Sequence, residues 1–389
     1  MRYIDLHNTI FMNRTMLCFS ICIIVYFILN GCKAEKSNDN TLIQFDVRDS
    51  YPEKSIRLED VADIEYVQLE FNEEFLFQRP PHTITSKKII SSYNGDILIF
   101  SRDGKPLSKF NRMGNGPQDY PAINQLLYDE TLDEFYVRAQ NKIGIYSASG
   151  DFKRAIPLPD GTWMREVANF DSITFLHYDS YDANPARFSF ISKEDGHVVA
   201  TVSMPKDKNI NVFFSQVSGN IVNVLTAPAY RFVSYNDGYL LTDFSIDTVY
   251  YLSGTKELTP VLVRKPAIQS MDPVIYLNSF LEAGNYEFLS VITLKNENNQ
   301  LPRTYLMRDK KSGSVYRQKI TFNDYRGKLV TLSPETIANT QDSKSGMIVL
   351  SLLELQEANE ENKLSGKLKE LVENSDGEAN DIYMLLHFK

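Results

Sequence analysis

Side chains suited to binding or chemistry are concentrated in one short stretch near the middle of the chain. They are His177, Asp179, Tyr181, Asp182 and Asn184. Carboxylates and aromatic rings on one loop could bind a sugar, and the oxygens of Asp179, Asp182 and Asn184 could instead hold a calcium ion. Their spacing is not that of an EF-hand loop. A solvated turn has the same composition, so all three interpretations stay open.

The remaining patterns favour no particular reaction. No two of the five histidines have the i, i+2 or i, i+4 spacing of a metal pair, and no Gly-x-Ser-x-Gly elbow is present. We therefore predict no catalytic residue, no bound metal and no cofactor. The only tryptophan, Trp163, is a candidate sugar-stacking platform, although an aromatic residue between two sheets also serves as a core wedge.

The charge of the chain limits its partners. It carries 41 basic and 50 acidic residues, for a net charge of -9. An acidic protein repels phosphate backbones, so nucleic acid is not a predicted partner.

A targeting segment occupies the N-terminus. Arg14 precedes an apolar run of 13 residues, Leu17 to Leu29. A membrane-spanning helix needs roughly 20 apolar residues, so this run is typical of a signal peptide rather than a membrane anchor. The run ends at Leu29-Asn30-Gly31-Cys32, which resembles the lipobox of bacterial lipoproteins.

The lipobox resemblance implies that the chain is cut before Cys32 and that Cys32 carries the lipid. Several acyl chains, each worth about 0.8 kcal/mol per buried methylene, hold a protein on a bilayer. The other two cysteines, Cys18 and Cys22, lie in the segment that is removed. The rest of the chain has no thiol, and therefore no disulfide and no thiolate zinc site.

The elements that must position these side chains repeat along the chain. Ile97 to Phe110 and Ile143 to Ile156 each contain a strand pattern, a glycine turn and a second strand pattern. The two copies start 46 residues apart. A period of this length, filled with short strands, predicts the blades of a β-propeller. Weaker copies begin near Phe188, Val249 and Tyr305.

Five copies leave room for one more blade, so we predict an all-β, six-bladed β-propeller. The last blade would combine Met347 to Leu353 and Asp381 to Phe388 with the N-terminal strand Ile64 to Leu69. Such a ring is closed by both chain ends and leaves no open sheet edge at the junction. The apolar positions Leu364, Leu368, Leu371 and Val372 predict one short C-terminal surface helix. The predicted organisation is a signal peptide over residues 1–31, a lipidated cysteine and polar tether over 32–44, and the propeller over 45–389.

The loop after the first repeat contains Gly114, Gly116, Pro117 and Tyr120. It resembles the G-x-G-P-G-E-Y loop of the six-bladed β-propeller lipoproteins of Bacteroides-type bacteria, which are related in fold to NHL and TolB-like propellers. Gln118 and Asp119 stand where that family has Gly and Glu. No Gly-Lys-Ser/Thr sequence follows, so we interpret the loop as a connection between blades rather than a phosphate site.

Two functions follow as hypotheses. The first is a lipid-anchored, non-catalytic module of the cell envelope, on the outer membrane, that binds a glycan, a peptide or a protein partner. The alternative is a carbohydrate-active lyase or hydrolase with its site in the central funnel of the propeller. Tyr, His, Arg and carboxylate groups around the axis would favour the enzyme. An aliphatic axis with an aromatic patch off-centre would favour the binding module. A subunit of an envelope complex, the third possibility, would expose a broad apolar face. The membrane face that carries the lipid is left open.

Overall fold

Short antiparallel sheets follow one another along the chain, with the spacing that the repeated glycine phrase predicts. The computed structural model describes residues 42–76, 80–158, 165–179, 186–205, 210, 213–218, 221–227, 230–338, 340–375 and 380–389. All of its strands lie in one compact unit, Leu42–Lys389.

The described chain opens with three strands that belong to three different blades. They are β1 (Ile43–Asp46), β2 (Glu53–Arg57) and β3 (Ala62–Gln68). A single 3-10 turn, Leu58–Asp60, separates β2 from β3. Because β1 begins at Ile43, the strands start within the segment assigned to the tether.

Blades 1 to 3 are four-stranded meanders in which each strand pairs with the next. Blade 1 contains β4 (Thr83–Ile84), β5 (Lys88–Tyr93), β6 (Asp96–Ser101) and β7 (Pro106–Asn111). Blade 2 contains β8 (Gln125–Asp129), β9 (Glu134–Ala139), β10 (Lys142–Ser147) and β11 (Phe152–Pro157). Blade 3 contains β12 (Arg165–Asn169), β13 (Thr174–Asp179), β14 (Phe188–Ser192) and β15 (Val198–Val202).

A two-stranded hairpin lies between blades 3 and 4. It pairs β16 (Phe213–Ser218) with β17 (Ile221–Thr226) and belongs to no blade. This insertion accounts for the longer interval between the repeats that begin at Phe188 and Val249.

Blades 4 and 5 each gain a strand from the N-terminal segment. Blade 4 contains β18 (Phe232–Tyr235), β19 (Gly238–Leu241), β20 (Thr248–Leu252) and β21 (Leu258–Lys265), with β1 parallel to β21. A 3-10 turn, Ile268–Ser270, follows it. Blade 5 contains β22 (Ile275–Ala283), β23 (Tyr286–Thr293), β24 (Arg303–Asp309), β25 (Val315–Thr321) and the short β26 (Leu329–Val330), with β2 parallel to β25.

Blade 6 confirms that both chain ends close the ring. It contains β27 (Ser345–Leu350) and β28 (Ile382–Phe388), and β3 pairs with β28 over seven residues. The prediction of six blades is confirmed with it. The strand predicted over Met347 to Leu353 ends earlier, because a helix begins at Leu352.

The described residues contain three α-helices. They are α1 (Pro334–Ile337), α2 (Leu352–Glu360) and α3 (Gly366–Asn374). The predicted C-terminal helix is α3, which buries Leu368 and Val372, whereas Leu364 is buried just before its first turn. α1 packs against the first strands of blades 4 and 5 and against β27, where it occupies part of the ring axis.

Aromatic side chains fill the space between neighbouring blades. The ring centroids of Phe110 in blade 1 and Phe135 in blade 2 are 5.4 Å apart. Tyr136 in blade 2 and Phe175 in blade 3 repeat this contact at 5.0 Å, in a nearly perpendicular arrangement. Edge-to-face pairs of this kind add about 0.5–1.5 kcal/mol to the burial of their area. These four rings therefore serve as wedges between neighbouring sheets.

The glycine of the repeated phrase has a positive φ and touches the blade before it. Gly196, between β14 and β15, has φ +80°, and a Cβ there would lie 2.0 Å from the carbonyl oxygen of Pro157 in blade 2. Gly104, at the same position of blade 1, has φ +90°, and its Cβ would lie 2.2 Å from the carbonyl oxygen of Gln68 in blade 6. The repeat is thus set by contact between blades as well as by the turn.

We expect Gly196→Ala to destabilise the fold much more than Gly313→Ala. Gly313 occupies the matching turn of blade 5 with φ +72°, and a Cβ there would lie 3.9 Å from its nearest neighbour, Arg308 Nη2. The control, Gly313→Ala, should lose about 1 kcal/mol of unfolding free energy, because alanine disfavours the left-handed backbone conformation. Overpacking against Pro157 should cost the Gly196 variant about 1–3 kcal/mol more. Urea unfolding measures both, and equal losses would contradict the role given to the blade contact.

Candidate functional site

A cavity of about 590 Å³ opens along the ring axis. Its wall is built from the first strands of blades 2, 3 and 4, from the residues that enter β4 of blade 1, and from α1 with the turn after it. This volume lies within the roughly 300–1,000 Å³ range of small-molecule sites in proteins. The central funnel is therefore only partly filled by α1.

Gln125 holds the first strands of blades 2 and 3 at a common level. Its side-chain amide donates a hydrogen bond to the Val167 carbonyl (2.7 Å), and the Val167 N–H donates to Gln125 Oε1 (3.0 Å). Arg138 Nε also donates to this oxygen (3.3 Å). The Gln125 side chain therefore joins the two blades. It places Glu166, the neighbour of Val167, at the inner end of the cavity.

Ion pairs between blades surround the opposite end, the mouth of the cavity. The buried Lys193 Nζ of blade 3 lies 3.5 Å from Asp129 Oδ2 at the end of β8. Lys256 of blade 4 lies 3.2 Å from Asp171 of blade 3 in the same way. Each acidic residue lies at or just after the end of the first strand of its own blade, and each lysine comes from a turn of the next blade. The two carboxylates at the mouth are therefore already paired.

Glu166 is the exception among the acidic residues of the cavity wall. It lies on β12, is half-buried, and has no hydrogen bond or ion pair with any residue in the described part of the chain. Burial raises the pKa of its carboxyl, and the charges of Arg231 and Arg138 oppose that rise without cancelling it. The inner end of the cavity thus presents a carboxyl group whose hydrogen-bonding capacity is unused.

The pKa of Asp171 is shifted in the opposite direction, below its ordinary value. Burial alone would raise the pKa of its carboxyl, but the N–H groups of Ile173 and Thr174 and the ammonium of Lys256 hold it below its usual value. The wall therefore carries one carboxyl group whose pKa is raised and another whose pKa is lowered.

Aromatic rings line the side of the cavity formed by blades 3 and 4. Phe170, Phe232 and Tyr239 all contribute, and the ring centroids of Phe170 and Tyr239 are 6.3 Å apart. The Tyr239 hydroxyl donates to the Asn169 carbonyl (2.5 Å), so its ring is fixed in place. Ile337 of α1 adds an aliphatic side chain to the wall. One flank of the cavity is consequently apolar and aromatic.

The stretch singled out in the sequence lies apart from this cavity or outside the described residues. His177 and Asp179 are buried in β13, and neither lines the cavity. His177 Nδ1 lies 3.3 Å from the Ser189 hydroxyl on the next strand. Trp163, Tyr181 and Asp182 lie outside the described residues, as does Cys32.

The glycine loop connects β7 to β8. The Gly114 N–H donates to the Tyr120 carbonyl (3.1 Å), and the Gly116 N–H donates to Asp119 Oδ2 (3.0 Å), next to Pro117. Tyr120 is buried and donates its hydroxyl to the Gly95 carbonyl (2.7 Å). The loop is held by its own carboxylate and by a tyrosine anchored in blade 1.

Metal-binding clusters and membrane-spanning helices are both missing from the described residues. No group of three His, Cys, Asp or Glu side chains is arranged to hold a metal ion there. None of the helices in the same part of the chain has the length and apolar character needed to cross a membrane.

Sequence reasoning missed the residues that form the cavity, although a signal for some of them exists. Asp129 and Asp171 both lie where the first strand of a blade ends, and Lys193 lies three residues before a repeat glycine. Aligning the blades would have marked these turns. Glu166 has no such marker, because period-2 alternation does not show which face of a first strand meets the axis.

We expect Glu166→Gln to raise the melting temperature at pH 8 and to leave it unchanged at pH 4. The pKa of Glu166 is higher in the folded state than in the unfolded state, so its protonated carboxyl group stabilises the fold at low pH. This stabilisation is lost as the pH rises through the folded-state pKa. At pH 4, below the ordinary glutamate pKa of about 4.3, most of that contribution is retained. Differential scanning fluorimetry at both pH values, with exposed Glu194→Gln as the control, measures the difference. A lower melting temperature at pH 8 would contradict the burial argument.

Comparison with known proteins agrees with this fold. A candidate exported protein from Bacteroides fragilis NCTC 9343 aligns over 90% of this chain and 100% of its own, at 16% identity and a TM-score of 0.58. A member of the DUF4221 family from Bacteroides vulgatus ATCC 8482 aligns over 85% of this chain and 99% of its own, at 9% identity and a TM-score of 0.45. No curated protein matches the chain. The family model described as a domain of unknown function, DUF4934, matches residues 42–387, and the chain therefore belongs to the DUF4934 family.

Proposed function

We propose that this protein is a lipid-anchored β-propeller of the cell envelope that binds a glycan in its central cavity without cleaving it. The observation that carries the proposal is Glu166, a half-buried carboxyl group that faces the cavity and has no hydrogen bond or ion pair with any of the described residues. Because this carboxyl faces the open cavity, a ligand that enters the cavity can form a hydrogen bond with it.

The chemistry of the wall fits a polyhydroxylated ligand. A sugar presents hydroxyl groups around its rim and C–H groups on its faces. The first can bond to Glu166 and to the side chains of the mouth, and the second can pack on Phe232 or Phe170. Sites of this kind combine apolar and aromatic walls with a few placed polar groups. The paired Asp129 and Asp171 give the mouth a fixed pattern of acceptors.

The separation of Glu166 from the carboxyl groups of Asp129 and Asp171 argues against a catalytic pair that includes Glu166. Glycosidases place two carboxyl groups roughly 5–9.5 Å apart. Glu166 lies near the start of β12, whereas Asp171 lies in the turn beyond its end. With about 3.3 Å of rise per residue, the three steps to Asn169 alone span about 10 Å. Asp129 lies at the same end as Asp171, since Lys193 pairs with Asp129 and its N–H donates to the Ile173 carbonyl (2.9 Å).

A carbohydrate-active lyase or hydrolase is the second candidate, and one observation favours it. The raised pKa of Glu166 and the lowered pKa of Asp171 are the kind of divergence that marks an acid and a base. His82 and Tyr230 also line the cavity, but the buried Arg138 and Arg231 do not. The described cavity lining thus contains histidine, tyrosine and carboxylate groups but no arginine, which is only part of the set expected of an enzyme.

The cellular location is proposed from the N-terminal sequence. Residues 1–31 would be the signal peptide, Cys32 the lipidated residue, and residues 32–44 the tether to the outer membrane. A protein of the same fold is described as a candidate exported protein, which agrees with export of this chain. The periplasmic or surface position of the domain is not part of the proposal.

Glycan binding should depend on Glu166. We expect the chain from Leu42 onward to retain at least one glycan on an array, and Glu166→Gln to weaken binding of that glycan. Hydrogen bonds are worth about 0.5–1.5 kcal/mol between neutral groups and about 1.5–3 kcal/mol to charged groups, so calorimetry should show a loss of about 2- to 150-fold in affinity. Glu194→Gln, on an exposed turn of blade 3, should bind like the wild type.

The same samples separate the alternatives. Mass spectrometry of the glycan after incubation should find it intact, and a cleaved product would establish the enzyme instead. Silence across the array would overturn the glycan proposal. A parallel screen of peptides would then test the peptide ligand.

Lipid attachment should depend on Cys32 alone. We expect Cys32→Ser to abolish incorporation of an alkyne-labelled fatty acid into the full chain, because the thiol is the acceptor of the lipid. Cys22→Ser, which removes a thiol ten residues earlier in the same segment, is the matched control and should label normally. Labelling of the Cys32 variant would refute the address but leave the cavity proposal untouched.

A further inference from the structure

Arg231 is a buried cation that forms no ion pair within the described part of the chain. Only 3% of the residue is accessible to solvent. Its guanidinium lies between two aromatic rings, with Cζ 4.9 Å from the ring centroid of Tyr178 and 4.5 Å from that of Phe244. Its Nε and Nη1 have no hydrogen-bond partner among the described residues. A buried charge is costly unless it is paired, and the two rings offset only part of this cost.

The register of blade 3 places Glu166 beside Arg231. β12 and β13 are antiparallel, and Glu166 lies directly opposite Tyr178. Opposed residues share one face of a sheet, with Cβ atoms about 4.5–5.5 Å apart. Glu166 is therefore on the face of blade 3 that carries the Tyr178 ring, on which Arg231 stacks. Tyr230 and Phe232, on either side of Arg231 in the sequence, line the same cavity as Glu166. Arg231 thus lies directly behind the inner end of the cavity.

The other carboxylate near Arg231 is already occupied. Asp243, which follows β19, is buried and accepts hydrogen bonds from the Tyr178 hydroxyl (2.6 Å) and the Ser245 N–H (2.8 Å). Arg187 Nε lies 3.6 Å from Asp243 Oδ1. Of the two acidic residues near Arg231, Glu166 is therefore the one whose charge is compensated by no contact with a described residue.

The effect of Arg231 on Glu166 is electrostatic. Burial raises the pKa of the Glu166 carboxyl, and the charge of Arg231 opposes this rise more strongly than that of Arg138 on β9. Burial also raises the pKa of the Tyr178 hydroxyl, so this neighbour stays neutral. His82, which precedes β4, is the histidine of the described cavity wall. Arg231 is therefore the group that most favours the ionised form of Glu166.

We propose that Arg231 is a positioning residue of the glycan site, which keeps Glu166 available near neutral pH as an ionised hydrogen-bond acceptor for the sugar. This inference rests on the proposed function, because it names the form of Glu166 that binds the ligand. Hydrogen bonds to an ionised carboxylate are stronger than those to a neutral group. Since Arg231 does not line the cavity, it acts through Glu166 rather than by contact with the glycan.

The charge of Arg231 should set the pH range in which the site binds. A nearby opposite charge lowers the pKa of a carboxyl by about 1–3 units. Without Arg231, Glu166 should therefore stay protonated to a pH about one unit higher. Each unit changes the ionised fraction of a mostly protonated carboxyl by about tenfold, and the affinity for a glycan should change with it.

Thermal unfolding tests the coupling without a ligand. In the chain from Leu42 onward, the stabilisation by Glu166→Gln should grow as the pH rises and level off once Glu166 is ionised in the folded state, because its folded-state pKa is the higher one. We expect it to level off about one pH unit higher in an Arg231→Met background than with Arg231 present. Arg231→Lys, which keeps the charge, should restore the original profile. Differential scanning fluorimetry of each background with and without Glu166→Gln measures the profiles.

Arg264→Met is the matched control for the loss of a buried arginine. Arg264 is 2% exposed, and its Cζ lies 5.8 Å from the ring centroid of Tyr276. This variant should lower the melting temperature without moving the Glu166 profile. The same profile in the Arg231→Met and unmodified backgrounds would overturn the proposal, as would an Arg231→Lys profile that follows Arg231→Met. If Arg231→Met does not fold, Arg231→Gln provides the same comparison.

Calorimetry with a glycan retained on the array separates this inference from the proposed function. Arg231→Met should bind that glycan about tenfold more weakly than the wild type at pH 7, and within about twofold of it at pH 9, where Glu166 is ionised in both. Equal affinities at pH 7 would overturn the role of Arg231 and leave glycan binding intact. An array without a bound glycan would overturn both.

Discussion

The ladder between β3 and β28 is the interaction on which the rest of the structure depends. It joins residues near the beginning of the ring to the last strand of the chain through seven paired residues, Ala62 to Gln68 with Ile382 to Phe388. Met384 and Leu386 at its centre are fully buried. Without this ladder, blade 6 would keep only two strands and the ring would have two open edges. The same N-terminal segment passes along blades 4 and 5 before it reaches blade 6, so ring closure also fixes β1 and β2.

Closure creates an axis, and the axis explains how charged groups are distributed. Lysines from one blade reach carboxylates of the next, as Lys193 reaches Asp129 and Lys256 reaches Asp171. Solvent lowers the cost of the half-exposed Lys256–Asp171 pair, whereas the buried Lys193 depends on its pairing with Asp129 to offset the cost of desolvation. Further along the axis the polar contacts change from ion pairs to the amide of Gln125, which joins two strands without a net charge. Glu166 lies beyond this amide and has no hydrogen bond or ion pair with any of the described residues.

The fold of this protein does not by itself indicate its function. Its membership of the DUF4934 family and its likeness to a Bacteroides fragilis protein of the same fold concern the ring. A propeller hosts many functions, so function has to be argued from the cavity and from the surfaces that the ring leaves uncovered.

The sequence by itself determined the number of blades, the closure of the ring by both ends and the position of the helix over Leu368 and Val372. These features follow from local rules, because alternation, turn glycines and helical spacing repeat wherever the backbone repeats. Only the tertiary structure brought together the residues of the candidate site. The polar stretch around His177 and Asp179 has the composition of a binding loop, yet both residues are buried in β13 and do not line the cavity. Glu166 has no distinctive neighbours in sequence, and its importance arises from the approach of three blades to one axis. A pattern along one strand records which side chains alternate, but the surroundings of each side chain are set by strands distant in the chain.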